Sequence, residues 1–343
     1  MAIRMTLSRP ALPKRVMYIG ALLLGSALVT GCARAHSSPG ETTTSATYRL
    51  EPAPSEPLRF IAYGDMRFTA MTEKEASSPA ARQALVAQVA AETPVAVFLN
   101  GDVPWHGGTL GDYESFKAET AVWRERQLHV YPALGNHEFA ECDVAKCLEN
   151  WWSVFPAFRG KRWYSVAVGS RLLAIALDTD TALEAGSEQR VWLEAQLAAV
   201  PRSVDFIFIF LHHPPVADLQ TGANSSHNPR PNELALTALL KDNAARSAAR
   251  FIVCAGHIHN YERREQDGIL YLVSGGGGAH PVPVVRDRAD LYQDQAFPNF
   301  NYLRFTLQGD RLSGAMFRLA DYDAATPHTF VLKDSFEVRA KPR

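Results

Sequence analysis

The stretch Phe251-Ile252-Val253-Cys254-Ala255-Gly256-His257-Ile258-His259 sets two imidazoles one residue apart, directly after an apolar run. The run reads as a buried strand. In an extended segment residues i and i+2 point to the same side, so His257 and His259 would face one point. Gly256 lets the backbone come close to whatever lies there. Metal ligation is one reading of the pair; two ordinary loop histidines is the other.

Four more apolar runs end in the same manner. Arg59–Tyr63 runs into Gly64-Asp65, and Val95–Leu99 stops at Asn100-Gly101-Asp102. Val130–Leu134 runs into Gly135-Asn136-His137-Glu138, where Pro132 argues against a central place in a sheet. Asp205–Leu211 ends at His212-His213-Pro214-Pro215. Each turn alone is an ordinary turn or helix cap, but five strand ends that all carry a potential ligand point to one site. In open α/β sheets ligands lie beyond the carboxyl ends of the strands. Asp65, Asp102, Asn136, His212, His257 and His259 are therefore expected to converge. Oxygen and nitrogen donors without sulfur suit Mn, Zn or Fe, and less exclusively Mg. Six ligands exceed one tetrahedral site and suit two divalent ions that share a carboxylate.

Between these strands the pattern predicts helices over 79–92, 113–127, 188–199 and 232–243. Hairpins are expected at Tyr164–Val168 with Leu172–Leu177, across Gly169-Ser170, and at Tyr302–Leu307 with Leu312–Leu319. Ile269–Ser274 and Phe336–Ala340 read as further strands. Strands alternate with helices at first and pair as hairpins later, which predicts an α/β core of two packed, mixed sheets with helices outside. Gly275-Gly276-Gly277-Gly278 lacks the Lys-Ser/Thr of a nucleotide loop and is read as a turn that lets the backbone pass close to the site.

These motifs, in this order, resemble the calcineurin-like metallophosphoesterase family. Four stretches resemble its purple acid phosphatase-like branch: Gly256–Arg263, Trp163-Tyr164-Ser165, Glu188-Gln189 with Trp192-Leu193-Glu194, and Ser274–Gly278. The resemblance implies the metallo-dependent phosphatase fold, a four-layer α/β sandwich of two mixed β-sheets flanked by helices. It implies one metal on Asp65, Asp102 and His259, and a second on Asp102, Asn136, His212 and His257. It selects His212 over His213 as the ligand. His137 would touch the phosphoryl oxygen or protonate the leaving group.

The chain departs from that pattern at Arg67, where the family usually has His or Gly, and at Trp105, where the branch has a tyrosine ligand. An indole N–H only donates and cannot replace a phenolate. The first metal is thus expected to have one protein ligand fewer. Arg67 is expected to reach a phosphate oxygen, because guanidinium matches phosphate geometry; a salt bridge to a nearby carboxylate is the alternative.

The implied activity is hydrolysis of a small-molecule phosphate ester by two metal ions, with a hydroxide held between them attacking phosphorus. The alternative is a non-hydrolytic cell-surface binding lipoprotein on the same fold. Substrate contacts are expected from His213, from His227 in the long connector 216–231, and from Tyr261. Trp105 and His106 are further rim candidates.

The 343 residues are 47% hydrophobic and 21% charged with a formal net charge of −1, which gives no sign of a nucleic-acid-binding surface. Residues 1–31 read as a signal peptide: Arg4, Arg9, Lys14 and Arg15 precede the apolar stretch Val16–Val29. Val29-Thr30-Gly31-Cys32 resembles the lipobox of bacterial lipoproteins, which implies lipidation at Cys32; a plain secretory signal is the alternative. Residues 32–57, rich in Ser, Thr and Pro, are expected to form a flexible tether. Residues 58–341 are expected to form one domain, on the periplasmic or extracellular face of a bacterial membrane and held there only through its lipid. In that oxidising setting Cys142 and Cys147 are expected to pair, with a Cys-x4-Cys metal site as the alternative. Cys254 is expected to be a buried thiol.

Overall fold

The computed structural model describes residues 47–52, 57–321 and 328–342. The proposed signal peptide, Cys32 and most of the tether lie outside them. Among the described residues no helix is long and apolar enough to cross a membrane.

The strands are β1 (Tyr48–Leu50), β2 (Leu58–Tyr63), β3 (Ala96–Leu99), β4 (Val130–Pro132), β5 (Tyr164–Val168), β6 (Leu172–Ala176), β7 (Phe206–Leu211), β8 (Arg250–Ala255), β9 (Tyr261–Gln266), β10 (Ile269–Ser274), β11 (Asn301–Gln308), β12 (Arg311–Leu319) and β13 (Phe330–Arg339). The helices are α1 (Pro79–Ala91), α2 (Leu110–Glu119), α3 (Ala121–Glu125), α4 (Val144–Val154), α5 (Glu188–Ala198) and α6 (Pro231–Arg246). Among the described residues one sheet has seven strands in the order β1-β5-β6-β7-β8-β10-β9, and the other has six in the order β13-β12-β11-β2-β3-β4. Both mix parallel and antiparallel pairs.

β7 shows why the sheets stack. Its six residues Phe-Ile-Phe-Ile-Phe-Leu are all buried, as for a strand covered on both faces. Phe206, Phe208 and Phe210 pack into the core between the sheets, and Phe208 meets Phe60 at 5.2 Å and Phe305 at 5.2 Å. Ile207, Ile209 and Leu211 turn the other way, against Leu193 of α5 and Leu236, Leu239 and Leu240 of α6. On the far side of the six-stranded sheet lie α1 to α3, where Trp123 Nε1 donates to Val86 O and Tyr302 Oη donates to Glu92. The layering is helix, sheet, sheet, helix, as expected.

Several elements depart from the sequence reading. Tyr48–Leu50 is not tether: β1 pairs in parallel with β5, and Tyr48 packs edge-on against Phe158 and Tyr164. The 113–127 helix is two helices, because at Thr120 the hydroxyl donates back to Phe116 O and the backbone leaves helical geometry. It also starts earlier, at Leu110. β4 contains Pro132 and lies at the sheet edge, where a missing N–H costs no ladder bond. Cys142 and Cys147 form a disulfide at the head of α4, and Cys254 is a buried free thiol.

Candidate metal centre

β2, β3 and β4 run parallel in one sheet, and β7 and β8 run parallel in the other. Their carboxyl ends meet. Asp65 N donates to Gly101 O (3.1 Å), Arg67 N to Asp102 O (3.0 Å), and Gly256 N to His212 O (3.0 Å). The sheets are joined by His257 N donating to Asp65 Oδ2 (2.8 Å) and by His212 Nδ1 donating to Asn100 O (2.9 Å). Three expected ligands, Asp65, Asp102 and His257, take φ of 65°, 54° and 70°, and Arg67 takes 48°. Side chains other than glycine rarely enter this region, and such strain gathers where surrounding structure holds it for function. Gly256 is required here: a Cβ would stand 2.5 Å from Asp65 Oδ2. The turn at 275–278 also passes close, with Gly275 N on Asn260 O and Gly277 N on Gly64 O.

The six expected ligands come together. Ligand atoms of Asp65, Asp102 and His212 lie within 4.8 Å of one another, as do those of His212, His213 and His257. His212 Nε2 is 3.0 Å from Asn136 Oδ1, 3.3 Å from Asp102 Oδ1 and 3.3 Å from His257 Nδ1. His259 Nε2 is 3.5 Å from Asp65 Oδ1. Carbonyl acceptors fix two tautomers: His212 Nδ1 donates to Asn100 O, and His259 Nδ1 to His280 O (2.6 Å). In each the Nε2 lone pair is left for the centre, the usual arrangement of an oriented ligand.

The donor set fits divalent metal ions. Asp65 Oδ1 and His259 Nε2 are buried and lack a hydrogen-bond partner among the described residues, which is costly for polar atoms unless a cation takes their lone pairs. Protonation agrees. Burial would raise Asp102, but the charges of His212, His137 and Arg67 carry it well below the carboxylate range. Burial, then the His212 charge, lowers His257 and His213. Burial also opposes a charge on His212, but Asp102 and Asp65 outweigh it and raise that imidazole.

At the edge of the cluster stand His137 and Arg67. His137 Nδ1 donates to Trp105 O (2.6 Å), and its Nε2 is 3.8 Å from Asp102 Oδ2. Burial lowers its proton affinity. Arg67 Nη2 is 3.3 Å from the same oxygen, so the salt bridge is formed. The His213 ring lies tilted against His257, centroids 4.2 Å apart, and shares a 2.8 Å hydrogen bond with Thr179 Oγ1. His227 ends a 3-10 turn, Gly222–His227, with its ring 5.0 Å from that of His257.

Tyr261 is a correction. It is fully buried in β9, its hydroxyl donates to Asp334 (2.9 Å), and it packs on Tyr292, so it offers a substrate no surface.

Three supporting groups escaped the sequence reading. Glu138 accepts from Asp102 N (3.0 Å), Gly135 N (2.7 Å) and Val103 N (2.9 Å), which ties two strand-end loops together. Burial, then the Asp102 charge, pushes its carboxyl up to about 8. Its place three residues after Gly135 is a capping-box signal. Asn100 and His280 act through backbone carbonyls, which no side-chain pattern announces.

The calcineurin-like phosphoesterase family model matches residues 58–261. Two uncharacterized proteins of Mycobacterium tuberculosis, from strains CDC 1551 / Oshkosh and ATCC 25618 / H37Rv, are each 25% identical over 286 residues, covering 74% of this chain and 51% of theirs. The chain thus spans about half the length of these curated relatives. Among solved structures, a purple acid phosphatase from yellow lupin seeds has a TM-score of 0.63 at 19% identity, over 84% of this chain and 54% of that one. GAP50, the anchor in the inner membrane complex of Plasmodium, gives 0.61 at 15% identity, over 84% and 90%. A dimetal phosphatase from Danio rerio gives 0.55 at 15% identity, over 81% and 100%. At such identities these likenesses bear on the fold alone. The family match, by contrast, runs through every strand-end loop from Asp65 to His259: the chain belongs to the calcineurin-like metallophosphoesterase family.

Proposed function

We propose that the chain hydrolyses phosphate esters at a centre of two divalent ions, Mn, Zn, Fe or Mg. Asp65, Asp102 and His259 would hold one, and Asp102, Asn136, His212 and His257 the other. The observation that carries this reading is the convergence of these donors at one point, with His137 Nε2 and the Arg67 guanidinium at its edge. When bound, such a pair of ions lowers the pKa of water and clamps the oxygens of a phosphoryl group. The chain supplies the rest. Arg67 binds a phosphoryl oxygen through its planar fork. His137 first takes up a proton at Nε2, becoming an imidazolium whose Nδ1–H stays on the Trp105 carbonyl, and gives that Nε2 proton to the departing oxygen. His213 and His227 line the approach.

A second reading is a non-hydrolytic binding protein on the same fold. One observation favours it: Arg67 already neutralises Asp102, the carboxylate that both metals would share. The purified chain, assayed with each of the four ions on an aryl phosphate monoester, a diester and nucleotides, separates the two. Metal-dependent turnover that Asp102→Asn abolishes is expected. No turnover with any ion overturns the hydrolase and leaves the binding protein.

We further propose export as a lipoprotein anchored at Cys32 in the cell envelope, on the periplasmic or extracellular face. The disulfide supports an oxidising compartment. Labelling with radioactive palmitate, lost in Cys32→Ser, is the expected result; equal labelling of the variant refutes it.

A further inference from the structure

We propose that Trp105 is a positioning residue that fixes Arg67 and His137 as a pair beside Asp102. The inference rests on the hydrolase reading for its consequence and on geometry for its basis. β3 lies between β2 and β4, so the loop after β3 lies between the loops that carry Arg67 and His137. Trp105 is on that middle loop. Its backbone is held on both sides. Phe68 N donates to Val103 O (2.7 Å), Trp105 N donates to Phe68 O (2.9 Å), and Gly107 N donates to His137 O (2.8 Å).

The side chain then serves both neighbours. The His137 imidazole stacks on the indole, with centroids 4.7 Å apart and planes at 22°. The Arg67 guanidinium carbon sits 5.1 Å from the indole centroid, a cation–π contact. The Trp105 carbonyl takes the His137 Nδ1–H, which leaves Nε2 as the free nitrogen. As a result Arg67 Nη2 and His137 Nε2, from the loops after different strands, lie 3.3 and 3.8 Å from one atom, Asp102 Oδ2.

Besides its Asp102 contact, little else among the described residues holds the guanidinium at this spacing. Arg67 Nε is buried without a hydrogen-bond partner among them, and the backbone at Arg67 is in the left-handed region. Without the indole, Arg67 keeps only the Asp102 contact and is free to swing about it, and the His137 ring is free to turn about its Cβ–Cγ bond. The group that binds phosphoryl oxygen and the group that protonates the leaving oxygen would then lose their fixed separation.

Two arms test this. The first uses metal-free, full-length protein labelled with 15N-histidine and reads the His137 imidazole nitrogens by NMR. Wild type and Trp105→Phe are expected to show the single Nδ1–H tautomer, and Trp105→Ala a mixture. The second measures kcat with metal loaded. Trp105→Ala is expected to lower turnover of an alkyl phosphate by about 10–100-fold, within the range of lost acid catalysis. The loss on an aryl phosphate is expected to be smaller, Trp105→Phe to recover most of the alkyl loss, and Trp105→Ala to slow the Arg67→Ala/His137→Ala variant no further. An unchanged His137 tautomer in Trp105→Ala, or a further loss when Trp105→Ala is added to that variant, overturns the proposal. Absence of turnover in wild type would instead refute the hydrolase reading, and the NMR arm would still decide the role of Trp105.

Discussion

His259 Nε2 and Asp65 Oδ1 face each other at 3.5 Å, both buried and neither hydrogen-bonded among the described residues. They belong to different sheets, and a shared cation is the simplest partner for both. Exhaustively dialysed protein is therefore expected to hold two equivalents of metal and His259→Ala about one, read by elemental analysis. Metal at one hundred times its Kd should stabilise the fold by about 2.7 kcal/mol, seen as a higher melting temperature that chelator reverses. Full metal content in His259→Ala would remove that residue from the ligand set.

The free nitrogen of His137 predicts a dependence on the leaving group. His137→Ala is expected to lower kcat on an alkyl phosphate by about 10²–10⁴ with both metals retained. An aryl phosphate should lose less, since its leaving group needs little help. Undiminished turnover of the alkyl ester would sink the acid role.

The strand ends were legible because doubly buried strands read as continuous apolar runs, and each stopped at a turn with a ligand residue. β7 and β8 show this, with every residue of Phe206–Leu211 buried. What escaped was decided by partners far along the chain. Tyr48–Leu50 sits among Ser, Thr and Pro, and only pairing with β5 makes it a strand. Tyr261–Gln266 reads as polar: at the sheet edge against β10, Arg263 and Arg264 pair with Asp334 and Asp218, and Glu265 and Gln266 face solvent. The same pairing buries Tyr261, which is why an exposed role for it failed. α4 was obscured by the two cysteines that flank its first turn, although Leu148 and Trp151 mark its buried face. The stack of Arg67, Trp105 and His137 spans three loops, and no spacing in one chain segment encodes it.

Arg82 is fully buried on α1 and forks onto Glu119 through Nε (3.0 Å) and Nη2 (2.6 Å). It also donates to Arg67 O (3.1 Å) and Thr69 O (3.3 Å), so it braces the strained Asp65–Thr69 loop. Removing one partner of a buried pair leaves an uncompensated charge. Arg82→Met is expected to cost about 3–5 kcal/mol in urea unfolding. Arg82→Met/Glu119→Leu should recover much of that loss. A double variant no more stable than the single would show that the carbonyl contacts, not the ion pair, carry the stability.

Glu262 predicts how stability moves with pH. It is buried on β9, where Oε2 accepts Asp218 N–H (2.7 Å) and Oε1 has no partner among the described residues. Burial is the largest cause that raises its carboxyl from 4.5 to about 8; the Asp218 and Asp290 charges add to this, while the Asp218 N–H and Arg286 oppose it. The folded state thus holds a proton that the unfolded chain releases near its ordinary value. Between about pH 5 and 8 the native state binds more protons, so this group makes stability fall as pH rises, with the full cost present above 8. Glu262→Gln cannot ionise, yet its amide oxygen still accepts the Asp218 N–H. Urea midpoints of chelator-treated protein from pH 5 to 9 should fall more steeply for wild type than for Glu262→Gln. Parallel curves would mean that Glu262 ionises alike in the folded and unfolded chains.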